Sequence, residues 1–216
     1  GLYVPRYVIE GDPERGIEPM APDLRTVEDL KKYSHVFKDP DDNAKGRIYG
    51  AISGWEIDNV MRNKYKFYGL DENYNYFDPG SEAASVAAIS AAYNKGEPIV
   101  AYHWDPTWLT GKLDLVLLED APYDPELYPL GQTECPSMNI TICVSNEFYE
   151  KAPDFVEFLR KYRTSSALTA EALAYIEDND ASMEEAAKWF LKEHDELIDQ
   201  WLPEDKAELV RNKLSQ

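Results

Sequence analysis

Histidine and cysteine are scarce in this sequence, three and two among 216 residues. His35, His103 and His194 lie far apart, and no second His or Cys stands at metal-ligand spacing, so no metal site is expected. Cys135 and Cys143 leave two readings open, one disulfide or two buried thiols. Positive charge is also short: 22 Lys and Arg against 41 Asp and Glu, a formal net charge of −19. That argues against a nucleic-acid binder, which needs basic stripes, and against anionic membrane surfaces. It suits a soluble protein or a cationic ligand. No run of about 18 apolar residues is present, so no transmembrane helix is expected. There is no signal-peptide pattern either, and Gly1-Leu2-Tyr3-Val4 reads as mid-protein sequence.

Catalytic signatures are missing as well. The chain has no Gly-x-Gly-x-x-Gly, no Gly-Lys-Ser/Thr phosphate loop, no Gly-x-Ser-x-Gly and no Cys-x-x-Cys. The acidic turn Asp39-Pro40-Asp41-Asp42-Asn43 lacks the Gly and the twelfth-position Glu of an EF-hand loop. With 41 acidic residues, carboxylate pairs carry no information about acid–base chemistry. The chain reads as a binder, neither an enzyme nor a carrier of a cofactor or metal.

Aromatic rings are plentiful: 15 Tyr, 5 Trp and 7 Phe. The most informative stretch is Pro98-Ile99-Val100-Ala101-Tyr102-His103-Trp104-Asp105-Pro106-Thr107-Trp108. Ile99 to Ala101 reads as a buried strand. Pro106 biases Asp105 away from helical angles, so the chain turns there. A Trp at the carboxyl end of such a strand stands where α/β sheets bind ligands, and its face attracts cations.

Ahead of it, Leu2 to Ile9 has strand character broken by Pro5, an edge or hinge strand. Glu10 to Asp23 is a loop. Thr26 caps a short helix with Asp29 in its first turn. Arg47 to Ile52 reads as a strand, Ser53-Gly54 as a tight turn, and Trp55-Glu56-Ile57 as a helix start with Ile57, Val60, Met61 and Tyr68 on one face. Free backbone N–H groups at such a helix start bind a carboxylate or phosphate. Trp55 sits at that point, so one place offers an aromatic face and an anion hole.

Tyr74 to Phe77 reads as a strand, and Asp78-Pro79 as the start of a small-residue helix ending at Gly96. Leu113 to Leu118 is a further strand. The alternation over Arg47–Glu119 predicts a mixed, mostly parallel sheet with helices packed on it, an α/β fold. Glu119 to Glu134 reads as a linker or long crossover. Met138 to Val144 alternates with period two and predicts a strand. After Ser145 the pattern is helical to the end, with Trp189, His194 and Trp201 in apolar stripes and a capping box at Ser182–Glu185.

Three stretches resemble a known family: Ile52-Ser53-Gly54-Trp55-Glu56; Gly96 through Trp108; and the tail from Ala170 to Tyr175 with Asp180-Ala181-Ser182-Met183-Glu184-Glu185-Ala186-Ala187-Lys188-Trp189-Phe190-Leu191. The likeness is to the substrate-binding proteins of ABC importers for glycine betaine, proline betaine and choline, and covers nearly all the chain. It implies the periplasmic-binding-protein type II fold, with residues 1–120 as an α/β ligand-binding lobe. Residues 121–216 would be the strand and helices returning to the other lobe. It implies an extracytoplasmic, non-enzymatic receptor, membrane-anchored or not, that hands a quaternary ammonium compound to a permease. Carried onto matching positions, Trp55 and Trp104 resemble two walls of the cation cage, the amides of Glu56 and Ile57 the carboxylate donors, and Tyr102 and His103 flanking residues. Family members carry a further half-lobe ahead of the point matching Gly1, with another cage aromatic and a carboxylate ligand. The chain alone is therefore expected to bind betaine weakly or not at all and to expose packing surface on its tail, favouring a homo-oligomer or exchange of elements. A carbohydrate-binding protein using the same tryptophans as platforms is the alternative.

Overall fold

The computed structural model describes residues 1–215. The chain forms two units, one of residues 1–104 and 113–137, the other of residues 105–112 and the chain from 138 onward.

The first unit is built on a six-stranded sheet: β1 (Leu2–Pro5), β2 (Lys38–Asp39), β3 (Asp42–Tyr49), β4 (Tyr74–Phe77), β5 (Ala101–Tyr102) and β6 (Leu115–Leu117). The order is β2-β3-β5-β1-β6, with β4 paired to β3. β3 runs parallel to β4 and β5, while the β2–β3, β1–β5 and β1–β6 pairs are antiparallel. The sheet is thus mixed. Its antiparallel share is larger than the alternation over Arg47–Glu119 suggests, because β1 enters from outside that stretch and runs against both its neighbours. The helices are α1 (Arg6–Glu10), α2 (Glu56–Phe67) and α3 (Glu82–Lys95). Val4, Val8, Leu24, Leu30, Ile48, Leu70, Tyr74 and Val100 form the centre of the core, each at most 1% exposed.

Four local expectations need correcting here. β1 is no edge strand, for it lies between β5 and β6. Pro5 is its last residue, where a missing N–H costs no interior ladder bond, and its φ of −60° leads directly into α1. Second, the N-cap of α3 is Ser81, not Asp78. Gly80, at φ +78°, breaks the chain, and Ser81 Oγ accepts from Ala84 N–H at 3.2 Å. Asp78 instead accepts from Gly80 N–H at 2.8 Å. Third, the expected helix is a 3₁₀ turn over Glu28–Lys32 whose N-cap position is Val27; Thr26 Oγ1 accepts from Asp29 N–H at 3.2 Å, while Thr26 N–H and Oγ1 both donate to Asp29 Oδ2. Fourth, Glu119–Glu134 is no linker. The buried Lys64 ammonium on α2 pairs with Asp120 and donates to Thr133 O at 2.6 Å, and Tyr68 Oη donates to Asp120 Oδ1 at 2.5 Å. A charge on α2 that would otherwise be unpaired holds that segment in place.

The second unit is helical: α4 (Trp108–Lys112), α5 (Asn146–Lys151), α6 (Pro153–Lys161), α7 (Ser166–Asn179), α8 (Met183–Glu193), α9 (Asp195–Trp201) and α10 (Glu204–Leu214). The capping box is present: Glu185 N–H donates to Ser182 Oγ at 3.2 Å, and Ser182 N–H to Glu185 Oε2 at 2.8 Å. Trp201 is buried against Tyr162, and Trp189 stacks on Tyr175 with centroids 4.2 Å apart. The strand expected at Met138–Val144 is absent. Met138 is 80% and Ile140 92% exposed in an irregular segment. An extended segment becomes a strand only by pairing its backbone, and this unit has no strand among the described residues. Cys135 and Cys143 are free thiols, and Cys143 is exposed, so neither a disulfide nor two buried thiols describes them.

Candidate ligand-binding site

β3 runs out at Tyr49, and Gly50 N–H makes its last sheet bond, to Phe77 O at 2.8 Å. The chain then turns through Ser53 and Gly54, whose φ is +91°. Trp55 is the N-cap of α2 in extended geometry, and its side chain caps nothing. An indole has no acceptor for a helix amide, so the first-turn N–H groups of Glu56 and Ile57 stay open, at the positive end of the helix. Asp58 N–H closes back on Trp55 O at 3.1 Å. Ser53 to Glu56 is solvent-exposed.

The second contributor is the end of β5. Trp104 meets Trp55 edge to face, with ring centroids 5.5 Å apart and planes at 62°. At that separation the rings touch, so they form two adjoining walls of a corner and not two facing ones. Tyr102 lies 6.0 Å from Trp104 at a tilt of 33°. Burial pushes the Tyr102 phenol well above its usual pKa, with the nearby Cys135 adding to the rise, so it stays a neutral hydroxyl. His103 is 1% exposed and packs 4.8 Å from Trp104, backing that indole. Its backbone is fixed in both directions: His103 N–H donates to Gly1 O at 3.0 Å, and the Gly1 amine to His103 O at 2.9 Å.

All six expected site residues, Trp55, Glu56, Ile57, Tyr102, His103 and Trp104, belong to the first unit, and the structure brings the two tryptophans into contact although they are far apart in sequence. Sequence reasoning missed Tyr76 and Asp58, which anchor the Trp55 turn from beneath. Tyr76 Oη accepts from Ala51 N–H at 3.0 Å and donates to Asp58 Oδ1 at 2.8 Å. The available signal was Gly50, a glycine at a strand end, which marks a close approach by another group. No group of three or more His, Cys, Asp or Glu able to hold a metal occurs among the described residues. The acidic turn is instead closed by Arg47, which pairs with Asp39 at 2.6 Å and with Asp41.

One unit thus carries a mixed sheet, an aromatic corner and an open helix start. Residues 1–193 match the family described as the substrate binding domain of ABC-type glycine betaine transport systems. The chain belongs to that family, whose members are transport receptors and not enzymes. A 75-residue stretch, 35% of this chain, is 29% identical to the glycine betaine-binding periplasmic protein OusX of Dickeya dadantii and takes in 22% of that protein. Lactococcal OpuAC, solved closed with glycine betaine, aligns at 22% identity with a TM-score of 0.54, over 94% of this chain and 66% of that one. The glycine betaine/L-proline-binding protein ProX of Borrelia burgdorferi aligns at 20% identity and 0.52, over 97% and 68%. An ABC-transporter choline-binding protein in complex with choline aligns at 19% and 0.51, over 99% and 68%. These likenesses show the fold, that of the type II periplasmic binding proteins. The chain spans about two thirds of the length of these solved relatives.

Proposed function

We propose that this chain is the ligand-gripping part of an extracytoplasmic receptor for a quaternary ammonium osmoprotectant such as glycine betaine, proline betaine or choline, working with an ABC permease. The observation that carries the reading is the Trp55–Trp104 corner beside the open N-terminus of α2. A trimethylammonium group has no N–H to donate and is held best by aromatic faces. Each desolvated wall contributes roughly 0.5–2 kcal/mol. A carboxylate on the same molecule then reaches the Glu56 and Ile57 amides. Tyr102 adds a third ring at the rim, and His103 fixes the angle of Trp104.

In this reading the unit of residues 1–104 and 113–137 is the lobe that presents the corner, and residues 105–112 with the chain from 138 onward belong to the other lobe. Self-association through the exposed run of Met138, Ile140, Ile142 and Val144 is part of the same proposal, and sedimentation velocity of the protein beside Ile140→Lys tests it.

The direct test of the site follows the indole N–H signals of the five tryptophans by NMR during titration with glycine betaine, with choline and maltose alongside. The expected result is movement of the Trp55 and Trp104 signals by the two ammonium compounds at millimolar concentration, with Trp189 and Trp201 still. Movement by maltose alone, or by no compound, would overturn the proposal.

A further inference from the structure

We propose that Tyr76 is a positioning residue for the carboxylate grip: its phenol locks the strand-to-helix turn so that the Glu56 and Ile57 amides face one point. This deepens the receptor reading above and rests on it.

β3 and β4 pair in parallel from Gly46 opposite Tyr74 to Tyr49 opposite Phe77. Gly50 N–H still finds a sheet carbonyl, that of Phe77. The next amide, Ala51, has none, although Ala51 is 1% exposed. A buried N–H without a partner costs about 1–3 kcal/mol. Tyr76 Oη fills the gap, accepting from Ala51 at 3.0 Å, and passes its own proton to Asp58 Oδ1 at 2.8 Å. One phenol therefore ties residue 51, the last of the sheet side, to residue 58 in the first turn of α2. The intervening loop carries Trp55 and both open amides.

Two further contacts and a gap show that the link is built in. The other Asp58 oxygen accepts from Arg62 Nε at 2.9 Å, so the carboxylate is neutralised on α2 itself. The Arg62 guanidinium lies over the Tyr76 ring, 4.4 Å from its centroid. Position 50 is left empty for the ring: a Cβ there would stand 2.1 Å from Tyr76 Cζ and 2.4 Å from Oη. Only glycine admits the phenol at this depth.

A grip on a carboxylate needs both amides aimed within tenths of an ångström, whereas an aromatic corner tolerates looseness. Removing the phenolic oxygen should separate ligands by their acid group. The test uses Tyr76→Phe, with Asp58→Asn as a second variant should the first fold poorly. Each is titrated by NMR with glycine betaine and with choline, which keeps the ammonium and lacks the carboxylate. Amide exchange is followed in the ligand-free proteins. The expected result is faster exchange confined to residues 51–58, about a tenfold loss for glycine betaine and less than a twofold change for choline.

Unchanged exchange across 51–58 would overturn the positioning role whether or not any ligand binds. Equal losses for both ligands would overturn it too, since they indicate general loosening. If the unaltered protein binds neither compound, yet Tyr76→Phe frees residues 51–58 alone, the receptor reading falls and the locking role stands.

Discussion

Trp104 leans on the buried imidazole of His103, centroid to centroid 4.8 Å at a tilt of 34°, whereas its neighbour Trp55 is 37% exposed. The two walls of the corner are therefore unlike: one is braced from behind, the other stands in water.

From this difference follows the first prediction. Trp104→Ala should weaken glycine betaine binding more than Trp55→Ala, by up to about 30-fold, while Trp55→Ala costs about 2- to 5-fold. Trp104→Phe should restore part of the loss. NMR titration measures all three, and a larger effect at position 55 would refute the ranking.

The turn itself gives the second. Gly54 sits at φ +91° with nothing within 4 Å of where a Cβ would lie. Gly54→Ala meets no clash, only a backbone penalty of roughly 1–2 kcal/mol. A fall in Tm of about 2–8 °C is expected, and calorimetry reads it.

Buried charge supplies the third. Lys64 and Asp120 are both nearly inaccessible, with side chains 3% and 4% exposed. Asp120→Asn leaves an ammonium without its counter-ion and should cost about 3–5 kcal/mol. The double change Lys64→Met with Asp120→Leu should recover most of it. Guanidinium unfolding of the three proteins decides, and a double variant no better than the single would contradict the account.

The fourth concerns acid. Hydrogen bonding from Lys32, and then from Thr26 and Arg25, outweighs burial and holds the Asp29 carboxyl far below its usual pKa. Because the folded value is depressed, the stabilisation is present above the unfolded value of about 3.9 and fades as pH falls through the folded one. Asp29→Asn should be up to about 1 kcal/mol less stable at pH 7, a gap that narrows steadily below about pH 4. A pH-independent gap in urea unfolding would count against it.

Local chemistry was legible in the sequence wherever it depends on neighbours along the chain. Ser182–Glu185, Ser145 and the Trp55 turn involve partners three or four residues apart, and each is where spacing puts it. That Trp55 and Trp104 share one place was legible through the resemblance to the betaine- and choline-binding family, and the two rings do meet. Met138–Val144 was not, because alternation records which side chains share a face and is silent about whether an edge exists to pair with. Tyr76 was not, because its bonds reach Ala51, 25 residues back. The notch at Gly50 has meaning only once the ring that fills it is known.

That notch makes the order of change at two positions unequal. A variant that first exchanges the tyrosine for a smaller residue frees room at position 50, which then accepts alanine or serine. Beginning at position 50 drives a methyl into an occupied ring and blocks the path. Evolution or a design campaign can thus leave the present arrangement by one door only, through residue 76.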